Sequence, residues 1–253
     1  MNVFIPAHGF SRRVARKHTR PFAGKSLVQW SVIQCMASKH VDHCFVSTDD
    51  NEVFDQVTAC GGEIIWRDYE QHPDDSGGVP TYHAMKKYPE YFKPAFINMF
   101  VTSPLREPDL IDRVVEAWEA AGQPDALQAI GKQEETMVLM LTAAGYVMTS
   151  ISKRGPWATL AHTTMVSKYD YMIDTHEIAI RRDATSDSVA NAIGYYEMSA
   201  SEVVPRPYIE VPWWQCTEPD TPDDFAVCEV LMEHLILKGR GTAVYDEYKE
   251  SWS

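Results

Sequence analysis

The chain has 253 residues, of which 45% are hydrophobic and 23% charged, with a formal net charge of −13. This apolar content excludes a disordered chain, and the acidic balance excludes a general affinity for nucleic-acid polymers, whose phosphates it repels. The charge is unevenly spread: residues 1–41 hold no Asp or Glu but seven basic groups (Arg12, Arg13, Arg16, Lys17, Arg20, Lys25 and Lys39), leaving 16 basic and 36 acidic groups in the rest. A purely basic segment in an acidic protein predicts a local anion site.

The first half alternates short apolar runs with amphipathic ones. Strands are expected at Val3–Pro6, His43–Ser47, Glu63–Trp66, Ala95–Val101 and Asp125–Ile130. Helices are expected at Leu27–Ser38, Asn51–Cys60 (closed by Gly61-Gly62), Val79–Tyr91 and Pro108–Ala121. This alternation predicts a three-layer α/β fold with a mostly parallel central sheet. Ligands in such sheets bind beyond the carboxyl ends of the strands, so the loops 7–20, 47–50, 67–78 and 101–106 should share one crevice. The rhythm breaks over 131–200, read as an inserted β-rich segment for dimer contact or specificity within a single domain, 1–253. It returns with a strand at Tyr208–Val211 and a helix over Thr221–Leu237, opened by Thr-Pro-Asp-Asp with a cap and a first-turn proline.

The five cysteines are odd in number and form no CxxC pair, which fits reduced thiols in a cytoplasmic protein better than a disulfide framework or a zinc site. The start MNVFIPAHGF lacks the basic flank of a signal peptide. No stretch approaches the ~18 apolar residues of a membrane span.

Four segments carry chemistry. In residues 5–27 a strand ends in a small-residue loop with alternating cations; its backbone N–H groups and cations can hold a triphosphate, or the loop is merely solvated. Ser47-Thr48-Asp49-Asp50 ends a strand, where an Asp caps the next helix, lines a pocket, or does both. Thr102, Ser103 and Arg106 follow a buried strand, where they grip an anionic substrate, or Arg106 makes a structural pair. Glu218 and Asp220, two apart after a strand, offer hard oxygen ligands for Mg2+ on a nucleotide's phosphates; the alternative is helix capping by Asp220 or Thr221.

Together these segments resemble the cytidylyltransferases that make CMP-activated acidic sugars, the CMP-sialate (N-acylneuraminate) synthetase family, with relatives that activate Kdo and other ulosonic acids. The family's I-P-A-R-G-G-S-K-x-x-P-x-K-N appears as Ile5 to His18, P-F-A-G-K-x-L as Pro21 to Leu27, and V-S-T-D-D as Val46 to Asp50. An arginine and a loop ending near S-D match Arg67 and Asp74-Asp75-Ser76. T-S-P-L-R is intact at Thr102 to Arg106. R-R-Q…N-G-A-I-Y looks like Arg181-Arg182-Asp183 and Asn191 to Tyr195, and D-I-D-T-x-x-D-F like Glu218 to Phe225. The chain departs from the pattern at His8 (arginine), Phe10 (glycine), Ala15 (proline), His18 (asparagine), Phe100-Val101 (Gln-Pro) and Glu218 (aspartate).

The resemblance implies a Rossmann-like nucleotidyltransferase fold of the glycosyltransferase-A type and transfer of CMP from CTP to an acidic acceptor, with release of pyrophosphate. It implies nucleotide contacts from Ala7, His8, Gly9, Ser11, Arg12, Arg13, Lys17, Thr48, Asp49 and Arg67. Arg12, Lys17 and Asp220 would be catalytic, and Asp220 with Glu218 would hold Mg2+. Phe100, Thr102, Ser103, Arg106, Arg181 and Asn191 would face the acceptor, and the protein would be a homodimer. His8 or His18 would serve as a base or as a hydrogen-bonding group. The acceptor is a sialic- or ulosonic-type sugar acid or, given Phe100, a phosphonate. A reading of another class, a non-catalytic nucleotide-binding scaffold, draws on His8, Phe10 and Phe100; retention of Arg12, Lys17 and the acidic pair opposes it.

Overall fold

A computed structural model describes residues 1–11, 13–67, 78–133, 138–141, 147–150, 158–169 and 207–250. Strands β1 (Asn2–Pro6), β2 (Pro21–Phe22), β3 (Lys25–Ser26), β4 (Cys44–Thr48), β5 (Glu63–Trp66) and β6 (Ala95–Met99) occupy the first half. They are followed by β7 (Ala126–Gln133), β8 (Val138–Leu141), β9 (Val147–Ser150), β10 (Ala158–Lys168) and β11 (Tyr208–Val211). The helices are α1 (Leu27–Met36), α2 (Asn51–Thr58), α3 (Gly78–Lys87), α4 (Leu110–Ala120), α5 (Pro222–Leu231) and α6 (Thr242–Glu250).

Among the described residues, seven strands form one sheet in the order β11-β7-β10-β6-β1-β4-β5. All neighbours pair parallel except β10, which runs antiparallel to both β6 and β7. The fold is therefore the mostly parallel α/β sheet expected from the sequence. Side-chain alternation sorts the strands between two cores. Val3, Ile5, Cys44, Val46, Ile97 and Met99 pack on the face covered by α1, α2, α4 and α5. Phe4, Phe45 and Phe96 point the other way, against Met85 of α3 and Phe92. These two apolar layers flanking one sheet make the three-layer sandwich.

The differences from expectation are local and physical. The regular helix expected to reach Tyr91 ends at Lys87, and Pro89, which has no N–H to give, opens a separate short turn, Pro89–Tyr91. The last long helix does not run evenly to Leu237: α5 passes into a wider helical stretch, Met232–Arg240, whose Gly241 N–H reaches back to the Ile236 carbonyl (2.7 Å). Within 131–200, β8 and β9 pair antiparallel, and β10 is a strand of the central sheet. The β-like runs at 177–182 and 194–198 lie outside the described residues.

Helix α1 is set by its own ends. The Ser26 hydroxyl accepts the Gln29 N–H (3.2 Å) while the Gln29 side chain accepts the Ser26 N–H (2.9 Å), a reciprocal capping box. The same hydroxyl donates to Gln56 of α2 (2.5 Å), so one residue caps one helix and ties it to the next. Ser26→Ala should cost about 1 kcal/mol or somewhat more, read as a lower urea midpoint at unchanged slope.

Candidate active site

The carboxyl ends of β1, β4, β5 and β6 open on one side of the sheet, because those strands are mutually parallel. The loop after β1 holds Gly9, Arg13 and Lys17. Gly9 donates its N–H to Asp49 Oδ1 (3.1 Å), just beyond β4. A Cβ on Gly9 would lie 2.2 Å from Asp50 Oδ2, so no larger residue fits this approach. Asp50 cannot retreat, because its carboxylate caps α2 by accepting the Glu52 and Val53 N–H groups (2.8 and 3.0 Å). The sequence leaves the cap open between Asp49 and Asp50; the structure divides the work, Asp50 to the helix and Asp49 to the loop.

Lys17 is almost fully buried and its ammonium lies 3.0 Å from Asp220 Oδ1. Arg13, largely exposed, reaches the same oxygen at 2.9 Å. Asp220 therefore sits between two cations. Burial works against its charge, but the Lys17 hydrogen bond and the charges of Lys17 and Arg13 outweigh it and hold its carboxyl below the usual range. Glu218 behaves oppositely: burial, and then the negative charge of Asp220, push its carboxyl up, although the Ser103 hydroxyl donates to it (3.2 Å) and Lys17 lies near. The pair joins the loop after β1 to the loop after β6. Two hard carboxylates of this kind, in reach of a cation-bearing loop, form a donor set suited to Mg2+, which takes one or two protein carboxylates and leaves its other positions to water and phosphate.

Two histidines lie behind the loop. His18 Nδ1 is 3.0 Å from the His8 carbonyl oxygen, and the rings meet edge to face with centroids 5.2 Å apart. Burial, with the nearby charges of His8 and Lys17, lowers His18 to about 3. His8 is lowered too, by burial and then by Arg67, against the raising charge of Asp49. His18 is thus buried, and its ring nitrogen meets the His8 carbonyl. Arg67 follows β5 and donates its backbone N–H to the Thr48 carbonyl (2.9 Å), so its charge reaches His8.

Three residues expected at the crevice are buried in the structure. Arg106 does not line the crevice: it is fully buried, donating to Gln34 (3.1 Å), Thr164 (3.0 Å) and the Phe100 carbonyl (2.7 Å). Burial among these neutral acceptors lowers it to about 10. Its guanidinium is the hub on which the 100–106 turn folds, because the chain leaves β6 at Phe100 and must satisfy that carbonyl internally. Thr48 is likewise fully buried and its hydroxyl accepts the Asp50 N–H (3.2 Å), a turn bond and not a pocket contact. Ala7 is buried, with its N–H spent on Ser47 (2.8 Å). Phe100 and Thr102 are half-buried at the crevice, as is Ser11. Arg12, Arg181 and Asn191 lie outside the described residues. Gln34, whose amide also donates to Pro104 (2.8 Å), is a supporting residue that the motifs do not reveal; a large polar side chain on a mostly apolar helix is its only signal.

A parallel sheet with a cation-bearing loop after its first strand, facing a late carboxylate pair, is the arrangement of a nucleotide-binding transferase. The family comparison is specific: residues 2–205 match the cytidylyltransferase family model, and the chain belongs to that family. It is 28% identical over 123 residues, 47% of this chain and 53% of the relative, to a CMP-N,N'-diacetyllegionaminic acid synthase of Legionella pneumophila. It is 30% identical over 143 residues, 54% of this chain and 56% of the relative, to a 3-deoxy-manno-octulosonate cytidylyltransferase of Anaeromyxobacter dehalogenans. These matches span about half the length of the curated relatives. In fold it superposes on a CMP:2-keto-3-deoxy-manno-octonic acid synthetase complexed with CTP, with a TM-score of 0.67 over 92% of this chain and 98% of the other at 16% identity.

Two outcomes follow. Removing Arg106 strands three buried acceptors, so Arg106→Ala should destabilise by about 3 kcal/mol or more, and Arg106→Lys, with one point donor for three directions, should recover little of it in urea unfolding. His18 is neutral in the fold but takes a proton in the unfolded chain below its ordinary value of 6.5, so folding stability should fall as pH drops from about 6.5 toward about 3. His18→Asn, which cannot titrate there, should show a shallower fall of Tm over the same range.

Proposed function

We propose that this protein transfers CMP from CTP to an acidic acceptor of the sialic- or ulosonic-acid type and releases pyrophosphate. The observation that carries the reading is the convergence of Lys17, Arg13, Asp220 and Glu218 at the carboxyl end of a parallel sheet, in a chain of the cytidylyltransferase family. Relatives that activate legionaminic acid and 3-deoxy-manno-octulosonate support the acceptor class.

The acceptor oxygen attacks the α-phosphorus of CTP, the new P–O bond forms, and the bond to pyrophosphate breaks. In this reaction the protein positions and neutralises more than it reacts. The loop after β1 offers backbone N–H groups and cations to the triphosphate, with Arg12 and Lys17 on the charge that develops at the transferring phosphorus. Arg13, already poised at the same carboxylate, swings between Asp220 and phosphate. Asp220 and Glu218 would hold Mg2+, which when bound neutralises phosphate oxygens and the leaving pyrophosphate. Thr102 presents its hydroxyl at the acceptor side, on a turn whose shape is set by buried Arg106, while buried Ser103 donates to Glu218. Asp49 and Arg67 flank the nucleotide end.

Phe100 supports a second acceptor: an apolar ring at the crevice edge, where the family pattern carries an amide, suits a smaller phosphonate as well as a sugar acid. A pyrophosphate-release screen of CTP against sialic, Kdo-like and phosphonate acceptors distinguishes them. We further propose a homodimer working in the cytoplasm. The described cysteines are all free and buried, and no described helix is long and apolar enough to cross a membrane. A monomer in sedimentation at micromolar concentration overturns the dimer.

Asp220→Ala, assayed at saturating Mg2+ and CTP, should lower pyrophosphate release at least about a hundredfold. Undiminished release would remove Asp220 from the metal site.

A further inference from the structure

We propose that His18 is a positioning residue of the phosphate-binding loop: its Nδ1–H donates to the His8 carbonyl and thereby fixes the His8–Gly9 peptide, from which the cation-bearing turn departs. The inference rests on the triphosphate reading of that loop.

The His8–Gly9 peptide is restrained from three sides. Its oxygen meets His18 Nδ1 at 3.0 Å, and its N–H meets Asp49 Oδ1 at 3.1 Å. Its Cα side is pressed against Asp50, where even one added methyl would be 2.2 Å from a carboxylate oxygen. A carbonyl oxygen only accepts, so the proton of this contact belongs to His18 Nδ1. Burial keeps the ring neutral, which leaves one proton to place and puts it on that nitrogen.

His18 can act as a post because its own backbone does not move freely. Its carbonyl accepts the Val28 N–H at the start of α1 (3.0 Å). The next carbonyl, of Thr19, accepts from Gln56 of α2 (3.1 Å). The residue before it is Lys17, the buried cation on Asp220. One residue thus sets both ends of the turn that runs from Gly9 to Lys17: the far end by its covalent link to Lys17, the near end by its ring. Both histidines stand where the chain departs from the family pattern, and their rings touch, so the two changes form one structural unit. Asparagine carries its amide nitrogen on Cγ, as histidine carries Nδ1, and so can make the same donation; leucine has the bulk without the donor.

The test has two arms on the full-length protein. Long-range 1H–15N NMR of the imidazoles at neutral pH, with His18 assigned by its loss in His18→Asn, should show a protonated Nδ1 and a bare Nε2. A protonated Nε2 with a bare Nδ1 overturns the proposal whether or not CTP is a substrate. In titrations with CTP and Mg2+, His18→Leu should weaken binding about tenfold, the scale of one lost ordering hydrogen bond. It should raise KM for CTP more than it lowers kcat and speed amide exchange at Gly9, while His18→Asn restores all three to within about twofold. A merely structural role would lower Tm and the active fraction and leave KM unchanged, and that result overturns the proposal. If His18→Leu fails to fold, His18→Asn still decides, since a tenfold loss of CTP affinity there removes the donor argument. A wild-type protein that ignores CTP defeats the functional reading, and the NMR arm then decides on His18.

Discussion

The contact between Lys17 and Asp220 is the one on which the rest of the site depends. The two residues are 203 positions apart, and the ammonium is almost out of water. A buried lysine loses several kcal/mol of hydration, and it keeps its charge only with a hydrogen-bonded anion beside it. That requirement makes the late acidic segment return to the first loop. Once it does, Arg13 finds the same carboxylate, and Glu218 is drawn under the β6 loop against Ser103. Asp220 is partly exposed and doubly paired, so both cations are neutralised at one carboxylate oxygen.

Behind this contact the sheet supplies direction. Four parallel strands bring four loops to one edge, and the loops are then locked by groups that never reach solvent. Arg106 is the clearest case. Its charge is buried among neutral acceptors and shapes the turn that carries Thr102 and Ser103. On the other side Thr48, Asp49 and Asp50 divide three tasks within three residues: a turn bond, a loop restraint and a helix cap. The polar residues of this fold thus form two shells, one at the crevice and one that holds it. Both have the composition of a binding motif.

That is why the sequence is legible to different depths. The strands are readable because their apolar residues alternate between two cores, and α5 because Thr221 and Pro222 announce a helix start. The placement of β10 is not readable. A strand's membership in a sheet depends on partners, and an antiparallel strand inside a parallel sheet has no local mark. Arg106 misleads for a related reason. An arginine after a strand, beside a serine and a threonine, looks like a ligand grip, and only its surroundings, Gln34 from α1 and Thr164 from β10, turn it inward.

The sequence by itself determined the fold class, the basic first segment with its acidic counterpart, and the family. These properties are carried by periodicity, charge and contiguous motifs. The tertiary structure decided which of the motif residues touch the crevice and which support it, because burial and hydrogen-bond partners are relations between distant segments. It also divided the −13 of the whole chain into a working unit. A few N-terminal cations and two late carboxylates meet in one place.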